Sequence, residues 1–169
     1  MHPISQEFIQ QCISVIEEKN KPKILKCFDQ LTDEQIWSRP NGVSNSVGNL
    51  ILHLCGNIRQ YVISGLGDAP DIRERDLEFS TTGGFTRAAL LEKLDQTLGE
   101  AFAVMRSVSD ERLLRMHTVQ GFRYSGIGII VHITEHFSHH TGQIIFWAKQ
   151  LTSRDMAFYA GHNLNTRNK

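Results

Sequence analysis

Four histidines fall within nine positions of "HITEHFSHHTGQ", residues 132–143. Side chains three and four apart share one face of a helix. Ile129, Ile133, His136, His140, Ile144, Trp147 and Leu151 follow such steps, which predicts His136 and His140 at two consecutive inward positions. His132 and His139 align instead with Glu135, Gly142 and Lys149, on a more polar side. Each buried neutral imidazole brings a donor and an acceptor, and leaving them unpaired costs about 1–3 kcal/mol apiece. Protonating two adjacent rings is worse, because like charges repel in a poor dielectric. A divalent metal removes both penalties, and H-x-x-x-H on one helical face presents two nitrogens to it. Hydrogen bonding of each ring is the simpler alternative. Glutamate does not follow His136 directly, so the zinc-protease signature H-E-x-x-H is absent.

A third ligand is then needed. His53, in "NLILHLCGN", lies one turn from Leu50 and from Asn57, at the edge of a helical apolar stripe. Read blandly, it is a helix-border residue. His2, His117 and His162 fall in a terminus, a loop and a tail. Three neutral nitrogens leave an ion with open positions, the pattern of catalytic sites; closed structural sites usually take four protein ligands. Such a position can hold water, lowering its pKa to give a hydroxide nucleophile, or a thiol, which the ion deprotonates. Asn57 and Gln143, the latter three residues beyond His140, are candidates to orient a ligand or a bound water. Facing a neighbouring helix is the plainer role for Gln143. Imidazole suits zinc, nickel and iron, so the residues leave the metal open.

The elements that must position these groups read as helices. One runs from about Ser5 to Phe28, with Phe8, Ile9, Cys12, Val15 and Ile16 on one side and a kink expected at Pro22. Thr32 with Gln35 forms a capping-box pattern for a short turn. The second long helix spans about Asn45 or Ser46 to Gly65. Residues 65–84 have glycines at both ends and no period, as in a long connection; "DIRERDLEF" within it reads as a solvated loop with local ion pairs, or as the mouth of a pocket. The third helix runs from about Thr86 to Val108 with a seam of Leu91, Leu94, Leu98, Ala101, Met105 and Val108. "MHTVQGFRY" is extended or irregular, and the fourth helix continues from Ser125 to about Leu151. Four amphipathic helices predict an all-α four-helix bundle with one long crossover connection between the second and third.

The chain has 169 residues, enough for one domain over 1–169. Eighteen basic residues balance eighteen acidic ones, so no net field favours nucleic acid or an anionic membrane. No secretory signal or bilayer-length apolar run is visible. Cys12, Cys27 and Cys55 are widely spaced and odd in number, which favours reduced thiols and a cytoplasmic location. A phosphate-cradling glycine loop and a Ser–His–Asp arrangement are both missing.

A histidine after "NSVGNLILH", followed far downstream by "EHFSHHTGQI", resembles the DinB-like superfamily, from about Leu31 to Trp147. The resemblance implies a metal-binding four-helix bundle, related to bacillithiol- or mycothiol-dependent S-transferases. It implies His53, His136 and His140 as ligands of a divalent metal, in agreement with the helical seam that gives His136 and His140 without it. Many members carry Arg where this chain has Thr141. The expected function is transfer of a low-molecular-weight thiol to an electrophilic small molecule. Hydrolysis by metal-bound hydroxide and a non-catalytic, metal-stabilised binding or dimerisation module are the alternatives. Phe137, Phe146 and Trp147 lie on more than one face of the fourth helix, so a homodimer is expected.

Overall fold

Local capping chemistry starts most of the helices. The computed structural model describes residues 1–168; Lys169, the last residue of the expected domain, lies outside them. Thr32 caps helix α3 (Asp33–Trp37) in a full capping box with Gln35, as its spacing predicts. Ser46 does the same for α4 (Val47–Ile58), with Asn49 as the returning partner. Thr86 caps α6 (Arg87–Ser107), Ser109 caps α7 (Asp110–Leu114), and Ser125 caps α8 (Gly126–Thr152).

Four long helical stretches form the bundle. The first is α1 (Pro3–Ser14), a π-helical stretch over Val15–Asn20, and α2 (Lys21–Phe28). The interruption expected at Pro22 is thus taken up by the wider turns before it. Pro22 itself sits in the first turn of α2, where its missing N–H is harmless. The second stretch is α4, continued by π-helical turns over Arg59–Ser64; α6 and α8 are the third and fourth. Ile13, Ile16, Ile24, Phe28, Ile51, Leu54, Ile58, Leu94, Leu98, Met105, Ile133, Phe137 and Ile144 fill one core. The third-helix seam is shifted by one residue at its start: Leu90 is buried and Leu91 half-buried.

One segment differs from expectation and another takes the extended of its two alternatives. The connection over 65–84 contains a short helix, α5 (Arg75–Ser80), packed on α4. "MHTVQGFRY" is a β-hairpin, with β1 (Met116–Val119) paired antiparallel to β2 (Phe122–Ser125), Val119 opposite Phe122. Its two turn residues, Gln120 and Gly121, have φ of 53° and 80°, the left-handed pair that a two-residue hairpin loop requires. Among the described residues no helix is long and apolar enough to cross a membrane.

Gly48 marks a close approach. A Cβ there would lie 2.8 Å from ring carbons of Trp37, whose Nε1 donates to the Phe85 carbonyl at 3.1 Å. Gly48→Ala is therefore expected to lower the urea midpoint by the equivalent of about 1–3 kcal/mol, although alanine is the better helix former. The midpoint should move with the m-value unchanged.

A candidate three-histidine metal centre

Helix α4 carries His53 against α8, which carries His136 and His140 a turn apart. One ligand atom from each lies within 4.8 Å of the others. The three rings stand roughly perpendicular to one another, with centroids 4.4–5.0 Å apart and interplanar angles of 69–87°. His53 is 6% exposed and His140 9%, whereas His136 is half-buried. The buried stripe of α8 runs through Ile133, Phe137, Thr141, Ile144 and Ala148. His136 and Trp147 thus flank the core and do not lie within it, as the seam had placed them. Phe137 is wholly core.

Hydrogen bonds fix which nitrogens are free. His53 Nδ1 lies 2.8 Å from Glu78 Oε2. A carboxylate only accepts, so Nδ1 carries the proton and Nε2 presents its lone pair. Arg73 Nη2 also lies 3.3 Å from Nδ1, but it cannot donate to a nitrogen already protonated; its bond is the 2.8 Å one to Glu78 Oε2. His140 Nδ1 lies 2.7 Å from Gln143 Oε1, while the Gln143 amide nitrogen faces His139 Nε2 at 3.3 Å. The same logic protonates His140 at Nδ1 and frees its Nε2. His136 Nε2 sits 3.0 Å from His53 Nε2. Two imidazole nitrogens on one ion at about 2.0–2.1 Å would be roughly 3.0–3.4 Å apart, so this pair fits a shared metal. The donor set can therefore hold a divalent ion, with one carboxylate and one amide orienting its ligands from behind.

The amide, Gln143, was a candidate from the sequence; the carboxylate was not visible there. Arg73 and Glu78 belong to the stretch read as solvated ion pairs. Arg73 Nε donates to Glu78 Oε1 at 2.6 Å, with the Arg73 side chain 2% exposed. Two devices bring Glu78 in. Asn49 Nδ2 donates to the carbonyls of Glu78 and Thr81, pinning α5 to α4. Gly56, one turn beyond Leu52 on α4, leaves room for the carboxylate; a Cβ there would lie 1.9 Å from Glu78 Oε1. Only the glycine in "LHLCGN" offered a hint. The other half of the same loop does line the pocket mouth: Arg75 and Phe79 border a concavity of about 570 Å³ over the histidines, with Asn45, Glu135 and His139.

Of the two candidate orienting residues, Gln143 bonds a member of the cluster and Asn57 does not. Asn57 instead lies beside His132, Nδ2 to Nε2 3.5 Å, and its buried Oδ1 has no protein partner. His132 is half-buried, stacked between His136 and Tyr61, with centroids 5.4 and 4.3 Å away; it is not on a purely polar side. His139 is exposed. Thr141 is buried and donates to the Phe137 carbonyl at 2.8 Å.

Burial, reinforced by the neighbouring imidazoles, pushes the His136 pKa down to about 3. Burial likewise takes His140 down to about 4, against the opposing bond to Gln143. Burial would raise Glu78, but the bonds from Arg73 and His53 outweigh it and hold its carboxyl below the usual range. In the unfolded chain histidine titrates near 6.5. Between pH 6.5 and the depressed values the unfolded state binds more protons than the native one, so stability falls as pH falls. Metal-free protein is accordingly expected to lose thermal stability from about pH 6.5 downward, levelling off below about pH 3 as far as these two rings are concerned. Replacing either ring by alanine should flatten that slope in scanning calorimetry.

Residues 3–160 match the family described as protein of unknown function (DUF1572). No curated protein matches. A DinB-like protein of Bacillus subtilis has a similar structure, with TM-score 0.66 and 15% identity over 88% of this chain and 96% of that one. A DinB-like protein of Bacillus cereus gives 0.64 and 16% over 85% and 90%. A conserved protein of Enterococcus faecalis gives 0.66 and 13% over 89% and 96%. At these identities the likeness is one of fold.

Proposed function

This chain belongs to the family described as protein of unknown function (DUF1572) and has the DinB-like fold, and for it we propose a metal-dependent enzyme that transfers a low-molecular-weight thiol to an electrophilic small molecule. The observation that carries the proposal is the convergence of His53, His136 and His140 beneath an open concavity, with the tautomers of His53 and His140 set so that free nitrogens face inward. When bound there, a divalent ion supplies positive charge that favours the deprotonated form of a nucleophile.

The chain's own residues do the rest. Glu78, neutralised by Arg73, holds His53 in one tautomer and one orientation. Gln143 does the same for His140. Glu135, the carboxylate lining the concavity, would take up the proton that the nucleophile loses. Arg75, its guanidinium 4.8 Å over the Phe79 ring, lines the same concavity as a cation. The nucleophile has to come from outside. Cys12, Cys27 and Cys55 are all buried, and burial pushes the thiols of Cys27 and Cys55 up to about 11.

The test follows loss of a free low-molecular-weight thiol in the presence of a general electrophile, with metal-loaded protein. Thiol consumption that disappears in His53→Ala supports the transferase. Turnover of esters or amides with no thiol present would replace it with a hydrolase, and loaded protein inert in both assays with the binding module.

A further inference from the structure

The concavity over the histidines does not end at the imidazoles. Asn45 and His139 line both it and a second hollow of about 700 Å³, which runs on along α8. On the helix surface Glu135, His139, Gly142 and Phe146 follow steps of four, three and four, and form one edge of this trench. His136, His140, Gln143 and Trp147 run parallel to them, one row further in. The near part of the trench is polar and holds the three histidines. The far part is lined by Leu50, Val43, Phe146 and Trp147 with the uncharged Asn41 and Ser44, and by no Asp, Glu, Lys or Arg.

Resting on the metal reading above, we propose that this trench is the substrate subsite and takes an amphipathic monoanion. Its acidic head lies at the three histidines and its uncharged tail along α8 against Phe146 and Trp147. Charge sets the head. The three ligands are neutral, Glu78 is matched by Arg73, and at the rim Arg75 offsets Glu135, so the charge of an ion is left for the ligand to balance. Apolar surface sets the tail. Phe146 is 65% exposed and Val43 94%, both on the same hollow, while the Trp147 ring is held by its Nε1 bond to the Ser38 carbonyl at 3.2 Å.

Gly142 keeps the hollow clear. Glycine inside a helix costs about 1 kcal/mol relative to alanine. No packing explains it here, because a Cβ on Gly142 would meet nothing within 4 Å. What a side chain there would occupy is the trench itself, between the polar head end and Phe146. From His140 to Trp147 the helix rises about 10 Å, the reach of an extended chain of roughly eight carbons.

The experiment compares acetate, octanoate and octylamine on protein loaded with cobalt(II), after its metal content has been measured. Titrations are read by calorimetry and by the visible spectrum of the ion. Octanoate is expected to bind about a hundredfold more tightly than acetate, shifting the cobalt bands as acetate does, because most of its methylenes leave water. Octylamine should not shift them. In Gly142→Leu and in Phe146→Ser, the preference for octanoate over acetate should fall at least tenfold. Equal affinity for the two acids, or an unchanged preference in both variants, overturns the trench while leaving the metal site standing. So does a dimer whose formation excludes octanoate, since a second copy would then be the occupant. Protein that takes up no metal overturns both readings, and the metal analysis shows this before any acid is added.

Discussion

His140→Ala and His136→Ala are each expected to lose at least about 100-fold in divalent-metal affinity, since removing even an outer partner of a metal ligand typically costs 10–100-fold. Wild-type protein prepared without chelator should carry about one equivalent. With metal at about 100 times its Kd, mass action adds about 2.7 kcal/mol to stability, or roughly 5–10 °C in Tm for a chain of this size. A chelator should remove that increment from the wild type and change nothing in either variant. His132→Ala and His139→Ala are the controls. Both residues neighbour the cluster in sequence, yet neither belongs to the group whose ligand atoms converge. If His132→Ala emptied the site as fully as His140→Ala, the three-histidine assignment would fail. Metal analysis with competitive chelator titration reads all four variants.

Glu78→Ala should produce the largest loss of stability. It leaves the Arg73 guanidinium buried with its charge unmatched, a change that typically costs about 3–5 kcal/mol. It also frees the His53 ring to turn or change tautomer, which should weaken metal binding about 10–100-fold. These two effects can be separated. Replacing both partners, Arg73→Met with Glu78→Leu, removes the unmatched charge and should recover most of the stability, as buried ion pairs replaced by apolar groups usually do. It should not recover metal affinity, because His53 still lacks an acceptor. Recovery of both would mean that Glu78 serves packing alone. Urea midpoints of the metal-free proteins and metal titrations of the same samples give the answer.

Much of this molecule was legible because much of it is local. A capping box needs only a hydroxyl and an amide three residues apart, so the starts at Thr32 and Ser46 follow from the sequence. Helical periodicity brings His136 and His140 to neighbouring positions whatever else the chain does. It does not say how far the partner helices reach around α8, and that is why the seam misjudged depth. His136 flanks the core, and His132 is drawn half inside by Tyr61, which reaches it from the turns after α4. The stretch 65–84 was the least readable. Its alternating charges have the composition of a solvated loop, and a buried Arg73–Glu78 pair has the same composition. What distinguishes them is a vacancy on another helix, at Gly56, together with the amide of Asn49.

The sequence by itself determined the four long helical stretches, the caps at Thr32 and Ser46 and the side-by-side placement of two imidazoles, because all of these depend on residues within about one or two turns of each other. Tertiary structure decided what lies opposite. It brought His53 across from α4, set Glu78 behind that ring, and opened the concavity above the three histidines. Such meetings depend on how whole helices pack, and packing distances are fixed by the sum of many side-chain volumes on separate segments, which no short pattern records.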